Sequence, residues 1–281
     1  GKFRRQRQMC IRDRNIGEKL NIVTGLRNEI NETTYQSYHG MRTLASGWST
    51  AGSDTISYHT RRNSFMLPSL FIKYNPTDWI SLRYAKTNTL TRPDYSAIIP
   101  LYNIDGLSQT VVYRNPFLEA GQSNNNDYVL SFVNNYLGLL SISYFTKTIS
   151  GMIFNSGRRV ASDPSEYGLP GFTYFYMIED YKTNNPYDVL LNGFEIDYQT
   201  RFWYLPKLLR GLVFNCNYTR TSSKVKYPRT IIDHEIIFEP YLQVTVSNLD
   251  TFYVDRLLDQ PKDIICLLYT SDAADETCSV D

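Results

Sequence analysis

Hydrophobic and polar residues alternate at every second position along seven segments of the chain. In one of them, Leu140, Ile142 and Tyr144 alternate with Ser141 and Ser143. The same alternation occurs at residues 20–27, 69–74, 80–85, 127–132, 194–199 and 212–219. Because successive side chains of a strand point to opposite faces, this period of two predicts strands with one apolar and one polar face.

The connections between these strands alternate between short and long. Three are short, at residues 75–78, 134–138 and 204–210. Four are long and polar, at about 32–62, 91–125, 151–186 and 223–257. Loops longer than about 15 residues are uncommon in compact soluble domains, whereas tight turns on one rim and long loops on the other are typical of outer-membrane barrels. The pattern predicts an all-β fold, an antiparallel up-and-down meander that crosses a membrane.

Aromatic residues lie where the surface of a bilayer would place them. Tyr74 and Trp79 flank the first short turn, Tyr136 lies in the second, and Trp203 and Tyr204 precede the third. Rings with an apolar body and a polar tip are stabilised at the depth of lipid headgroups. No run approaches the roughly 18 consecutive apolar residues that a membrane helix requires, so a helical membrane protein is excluded.

The charge of the chain is concentrated at its ends. Residues 1–14 carry six Lys and Arg against one Asp, residues 266–281 carry four acidic residues and no basic residue, and the segment between them is neutral. The neutral segment gives no sign of a nucleic-acid partner. The strings MCIRDR (residues 9–14) and CLLYTSDAADE (residues 266–276) resemble translated sequencing-adapter sequence. We therefore predict that residues 1–14 and 266–281 are non-native and that residues 15–265 form the folded unit.

The sequence contains residues that could serve in catalysis or metal binding, but their spacing does not fit a known catalytic or metal-binding motif. The string GWSTAG at residues 47–52 has the spacing G-x-S-x-x-G, which differs from that of a nucleophile elbow. In an extended chain His234 points away from Asp233 and Glu235, so the three cannot share one metal ion. The sequence thus predicts no catalysis, no metal and no cofactor.

Two stretches resemble TonB-dependent outer-membrane receptors, in particular those of Bacteroidetes type. In the first, Arg92-Pro93 ends a strand, and the following loop returns through RNPFL (residues 114–118) and SNN (residues 123–125). Arg114 stands where the family usually has Gly. The second is GFEIDYQTRFWYLPKLLRGLVFNCNYTRTS, residues 193–222, which is similar to a late pair of barrel strands. The resemblance extends over about residues 17–265.

The resemblance implies a barrel of about 22 strands around an N-terminal plug domain. Seven or eight strands are expected here, so the chain should form an open, curved antiparallel sheet that is part of this transmembrane barrel. Implied partners are outer-membrane lipid, the missing plug, the TonB complex through the missing N-terminal part, and a small nutrient ligand. The implied function is energy-coupled uptake of a ferric siderophore, cobalamin or glycan across the outer membrane of a Gram-negative bacterium.

Two alternatives remain open at this point. A diffusion porin would share the barrel and lack energy coupling. A secreted, soluble β-rich carbohydrate-binding module would instead bury the apolar strand faces, and Leu82, Ile142, Ile196 and Phe214 would then lie inside a sandwich.

Two sets of residues are candidates for function. Polar residues that should face the lumen, and contact the plug or the substrate path, are Arg27, Arg83, Glu195, Asp197, Gln199, Asn215 and Asn217. Aromatic residues of the long outer loops can stack on sugar rings or flat chelates. These ligand candidates are Trp48, Tyr95, Tyr102 and Tyr113.

Overall fold

A computed structural model describes residues 2–38, 40–43, 47–49, 56–105, 108–169, 176–204, 212–238 and 240–271. The described residues are almost entirely extended. Their strands, in chain order, are β1 (Lys2–Ile16), β2 (Leu20–Tyr38), β3 (Gly40–Thr43), β4 (Gly47–Ser49), β5 (Ile56–Thr77), β6 (Ile80–Thr91), β7 (Tyr102–Asp105), β8 (Thr110–Tyr113), β9 (Gly121–Asn134), β10 (Gly138–Ser150), β11 (Ile153–Asn155), β12 (Arg159–Ala161), β13 (Tyr176–Glu179), β14 (Lys182–Asn184), β15 (Val189–Arg201), β16 (Leu212–Ile237), β17 (Gln243–Asp255) and β18 (Asp263–Ser271). One helical turn, α1 (Tyr95–Ile98), and a 3-10 turn (Pro164–Tyr167) interrupt them.

The main sheet is a ten-stranded meander in the order β1-β2-β5-β6-β9-β10-β15-β16-β17, with β18 also paired to β16. Every pair in it is antiparallel. The seven alternating segments lie in β2, β5, β6, β9, β10, β15 and β16, so the predicted all-β meander is confirmed. Short turns lie on one rim and the longer connections on the other. The sheet is open, and β1 is one of its edge strands.

An apolar band crosses one face of this sheet. The register aligns Tyr74 with Leu82, Leu82 with Leu130, Leu130 with Ile142, and Ile142 with Ile196. Directly opposite residues of an antiparallel pair share a face, so this row continues across adjacent strands. Leu82 is 42% exposed and Ile142 is 40% exposed. Within the described residues, these two side chains are therefore not covered by a second sheet or a helix, and the burial expected of a soluble sandwich is not found for them.

Aromatic residues gather on the rim with the short turns. Tyr136 contacts the rings of Trp203 and Tyr204, with centroids 5.4 and 6.2 Å away. The Trp203 indole donates a hydrogen bond of 2.9 Å to the carbonyl of Asn135. Trp79 stacks on Phe132 in the neighbouring turn region. These two aromatic clusters are of the kind that lies at the surface of a bilayer.

The strands continue well into the segments predicted as loops 32–62 and 223–257. β2 and β5 stay paired up to Tyr38 and Ile56, and β16 and β17 stay paired up to Ile237 and Gln243. The alternation ends earlier than the strands because, beyond the apolar band, both faces contact water or other protein while the backbone ladder continues. The assignment of residues 32–62 and 223–257 to extracellular loops stays a prediction.

The outer segments at 91–125 and 151–186 carry short elements of their own. A six-stranded sheet in the order β12-β13-β8-β7-β3-β4 joins strands from three of the long connections. Its core consists of buried residues that include Ile104, Val111, Tyr113 and Ile178. β12 contacts both β16 and β17, so this small sheet rests against the long hairpin.

The two ends of the chain are also extended in the structure. β1 pairs with β2 from Lys2 to Ile16, and β18 pairs with the first half of β16. A backbone ladder uses groups that every residue except proline possesses, so pairing of this kind does not discriminate native from foreign sequence. The non-native origin of residues 1–14 and 266–281 stays a prediction, and residues 272–281 lie outside the described part of the chain.

Candidate functional site

All seven polar residues predicted to face the lumen lie on one face of the main sheet, opposite the apolar band. The register pairs Asp197 with Asn217 and Gln199 with Asn215, while Glu195 lies two residues from Asp197 on the same strand face. Arg83 lies opposite Lys73 on β5, and Arg27 lies on β2. The structure thus brings five of the seven together on β15 and β16 and leaves the two arginines on other strands.

Hydrogen bonds connect side chains within this polar face. Asn217 donates its amide to the Glu195 carboxylate, and Gln199 donates to Asp197 over 3.1 Å. Thr219 donates to the Asn217 carbonyl oxygen over 3.2 Å. The carboxylates keep further acceptor capacity toward the open side of the sheet. The role of this face, contact with a plug or with substrate, stays a prediction.

A buried carboxylate lies farther toward the rim with the long connections. Glu29 is 1% exposed and accepts a salt bridge from Arg7 at 2.7 Å and another from Arg92. Arg27 Nε approaches the same carboxylate at 3.7 Å. A buried charge is stable only when it is paired and hydrogen-bonded, which several guanidinium groups achieve here. Arg92 belongs to the Arg-Pro pair noted in the sequence, and Glu29 fixes it against the polar face of β2.

The connection that follows Arg92 folds back over this face and closes a pocket of about 280 Å³, which we call the inner pocket. Its walls include Tyr35, Arg61, Asn63, Arg92 and Tyr95. Arg61 donates to Asn63 over 3.2 Å and also to the backbone carbonyl of the buried Leu118. The guanidinium therefore fastens the connection to β5.

A local turn sets the position of the second half of this connection. Asn115 is 8% exposed, donates its amide to the Lys182 carbonyl over 3.0 Å, and accepts a hydrogen bond from the Phe117 backbone N–H over 3.0 Å. Asn side chains readily bond to nearby backbone groups in this way. The RNPFL stretch thus presents Phe117 outward and Leu118 inward.

A second pocket of about 330 Å³, which we call the outer pocket, adjoins the first along β5. His59, Arg61 and Asn63 alternate on the same face of β5; Arg61 and Asn63 line the inner pocket and His59 lines the outer one. Five aromatic rings and three charged or polar groups are prominent in the walls of the outer pocket. They are Tyr58, Tyr102, Tyr113, Phe117 and Tyr167, together with Arg114, Ser165 and Glu166.

Burial perturbs the ionisable groups of these pockets. It raises the pKa of the Tyr113 hydroxyl to about 12, with further increases from Tyr181 and Tyr167. Burial, and then the nearby Arg61 guanidinium, lower the pKa of His59, so its imidazole is neutral at physiological pH. Both shifts favour neutral groups in the outer pocket.

Three of the four predicted ligand candidates lie in pocket walls. Tyr95 lines the inner pocket, and Tyr102 and Tyr113 line the outer one, although Tyr113 is 9% exposed and mainly contributes packing. Trp48 has its backbone in β4, but its side chain lies outside the described residues. Their role in ligand binding stays a prediction.

Sequence reasoning missed Glu29, His59 and Arg61. His59 and Arg61 lie in a segment that was predicted as a loop. They share a face of β5 with Ser69, but the apolar residues Leu67 and Phe65 lie between them on that face and interrupt the polar pattern. Extending the strand from Ser69 toward its first residue, with every second side chain on one face, would have placed both on the polar face. Glu29 lies two residues beyond Arg27 on the same strand and could have been found by the same count.

Among the described residues, no group of three or more His, Cys, Asp or Glu side chains is placed to hold a metal ion. None of the helices in the described part of the chain has the length and apolar character needed to cross a membrane.

Comparison with known proteins gives one family and a set of similar structures. The family model of the TonB dependent receptor-like β-barrel matches residues 13–263. The hemophore receptor HasR of Serratia marcescens, solved with its hemophore HasA and heme, aligns at 14% identity over 96% of this chain and 46% of its own, with a TM-score of 0.54. This similarity shows a shared fold.

Two further solved structures align over smaller shares of their own length. The FrpB iron transporter of Neisseria meningitidis aligns at 13% identity over 78% of this chain and 25% of its own, with a TM-score of 0.47. The siderophore receptor PirA of Pseudomonas aeruginosa aligns at 13% identity over 90% and 49%, with a TM-score of 0.45. The chain spans about half or less of the length of these proteins. No curated protein matches it.

Proposed function

The chain belongs to the TonB-dependent receptor-like β-barrel family, and from this membership we propose that it forms part of the barrel wall of an outer-membrane uptake receptor. The intact receptor would bind a scarce nutrient outside a Gram-negative cell. It would release the nutrient inward when the energised TonB complex displaces the plug. The part played by this chain is in binding and passage, not in catalysis.

The apolar band is the observation that carries the proposal. A row of side chains from Tyr74 through Leu82, Leu130 and Ile142 to Ile196 lies on one face of the sheet. The opposite face carries carboxylates, amides and guanidinium groups. Such a division over many adjacent strands is typical of a wall between lipid and an aqueous lumen. The exposure of Leu82 and Ile142 speaks against a soluble sandwich.

The polar face supports a plug partner. The hydrogen-bonded group around Glu195, Asp197 and Asn217 lies at the level of the apolar band, where the lumen would hold the plug. Unused carboxylate lone pairs there can accept bonds from plug residues or ordered water. The two pockets lie nearer the rim with the long connections, where a ligand would arrive first.

The test is transport by the complete gene product in a Gram-negative host, with and without a working TonB complex. Labelled ferric catecholate, cyanocobalamin and maltotriose would be supplied separately. We expect accumulation of one of the three to depend on TonB. Equal accumulation with and without TonB would instead indicate a diffusion porin, and recovery of the protein in the soluble fraction would contradict both transport functions.

A further inference from the structure

The outer pocket has preformed aromatic walls. Tyr113 holds Tyr167 edge to face at 5.6 Å and stacks with Tyr181 at 6.2 Å, while His59 meets Phe117 edge to face at 5.6 Å. Two of its lining residues, Tyr58 and Phe117, are each 66% exposed. A ligand that enters would therefore meet ring faces without first having to reorganise them.

The charged groups of the outer pocket balance. One guanidinium, on Arg114, and one carboxylate, on Glu166, lie among its lining residues, and burial keeps the imidazole of His59 neutral. An anionic chelate would need an excess of positive charge and would be repelled by Glu166. The balance favours a ligand without net charge.

The volume of the outer pocket restricts the size of the ligands that can enter it. A volume of about 330 Å³ lies at the lower end of the roughly 300–1,000 Å³ range of small-molecule pockets. A corrinoid or a large metal chelate would exceed it. One or two six-membered sugar rings are compact enough to enter.

We propose that the outer pocket binds a neutral sugar, with Phe117 stacking on an apolar C–H face of the ring and with Arg114 and Glu166 bonding its hydroxyl groups. Aromatic rings offer apolar contact area at a small entropic cost, and planar charged side chains bond paired hydroxyls in fixed geometry. The proposal names the substrate class of the receptor proposed above and therefore rests on that function.

Equilibrium binding to the 281-residue chain in detergent micelles tests this proposal. Saturation-transfer NMR would be recorded with methyl α-glucoside and maltose, and ferric tris-catecholate would be tested by quenching of intrinsic fluorescence. Phe117→Ala removes an exposed ring, so the variant should fold, and far-ultraviolet circular dichroism would verify this. Tyr136→Ala is the matched control, because Tyr136 is 61% exposed on the opposite rim.

We expect sugar binding by the wild type and by Tyr136→Ala, and a loss of about tenfold in affinity for Phe117→Ala, the usual value of one aromatic contact. Glu166→Gln should weaken sugar binding without creating binding of the ferric catecholate. The proposal is overturned if neither sugar binds, if the catecholate binds instead, or if Phe117→Ala binds sugar as the wild type does. Because this measurement needs no TonB, its failure is distinct from a failure of energy-coupled transport.

Discussion

Glu29 is a buried carboxylate that pairs with several guanidinium groups in the outer part of the polar face. Its carboxylate is 1% exposed and holds Arg92, the residue from which the long connection starts. We expect Glu29→Gln to lower the free energy of unfolding by about 3 kcal/mol, because it leaves partly buried guanidinium groups without their counter-charge. Urea unfolding measures this. Glu32→Gln, an exposed carboxylate on the other face of β2, is the control and should change stability by less than about 0.5 kcal/mol.

Tyr113 gives the outer pocket a dependence on alkaline pH. Its folded-state pKa, about 12, is above the ordinary value of 10.0, so folding favours the protonated hydroxyl. The corresponding stability is complete below pH 10.0 and is lost as the pH rises toward 12. We expect a loss of about 2–3 kcal/mol over that interval. Tyrosinate absorbance together with urea unfolding would detect it. Tyr113→Phe should reduce the dependence without abolishing it, because burial also raises the pKa values of Tyr102 and Tyr181. An unchanged slope in that variant would assign the effect to another tyrosine.

At the scale of elements, Arg159 fastens the small sheet to the long hairpin. Its guanidinium donates to both oxygens of Asp250, at 2.9 and 3.2 Å, and to the hydroxyl of Tyr167 at 2.9 Å. Beside it, the Asn248 side chain bonds both the N–H and the carbonyl of Val160. Because Tyr167 is also a wall of the outer pocket, this contact links the position of the hairpin to the shape of the pocket.

Removing this guanidinium should release the small sheet locally. We expect Arg159→Ala to cost about 1–2 kcal/mol, since Asp250 is largely exposed and the ion pair is partly screened. Amide hydrogen exchange at Val160 and Ala161 should then be faster by about tenfold. The neighbouring Arg158 pairs with Glu179 in solvent, so Arg158→Ala should leave exchange unchanged. Equal effects of the two substitutions would mean that the contact with Asp250 does not hold the sheet.

Acid should weaken the same contact. The hydrogen bond from Arg159 lowers the pKa of the Asp250 carboxyl below its ordinary value of 3.8. A lowered folded-state pKa contributes stability that is present above pH 3.8 and is lost as the pH falls through the folded value. Exchange at Val160 should therefore accelerate in strong acid, after correction for the intrinsic pH dependence of exchange. Asp250→Asn should show no such acceleration.

The elements differ in how far the sequence predicts them. The central strands were predicted because a bilayer forces a change of polarity at every residue, as in Leu140 to Tyr144. The strands of the small sheet are three or four residues long, too short to show a period, and β8 pairs with β13 across more than 60 residues of chain. Such pairing depends on tertiary packing around Ile104 and Val111, which local sequence does not encode.

At the scale of the whole molecule, two neighbouring residues of β10 test the assignment of the faces. Ile142 lies between Leu130 and Ile196 in the apolar row, whereas Ser143 lies between Val129 and Glu195 on the polar face. In phospholipid vesicles we expect Ile142→Lys to cost about 2–4 kcal/mol, the usual cost of a lysine at the middle of a bilayer. Ser143→Lys should be tolerated, because its ammonium would face water and the Glu195 carboxylate.

Urea unfolding of the two variants in vesicles gives the comparison, and the same experiment in detergent micelles separates the effect of lipid from that of strand propensity. Lysine has the same intrinsic preference at both positions, so the difference between them reports only what each face contacts. A large cost for Ser143→Lys and none for Ile142→Lys would reverse the faces. Equal costs at both positions would mean that the row from Tyr74 to Ile196 does not face lipid, and the membrane function would then lose its physical basis.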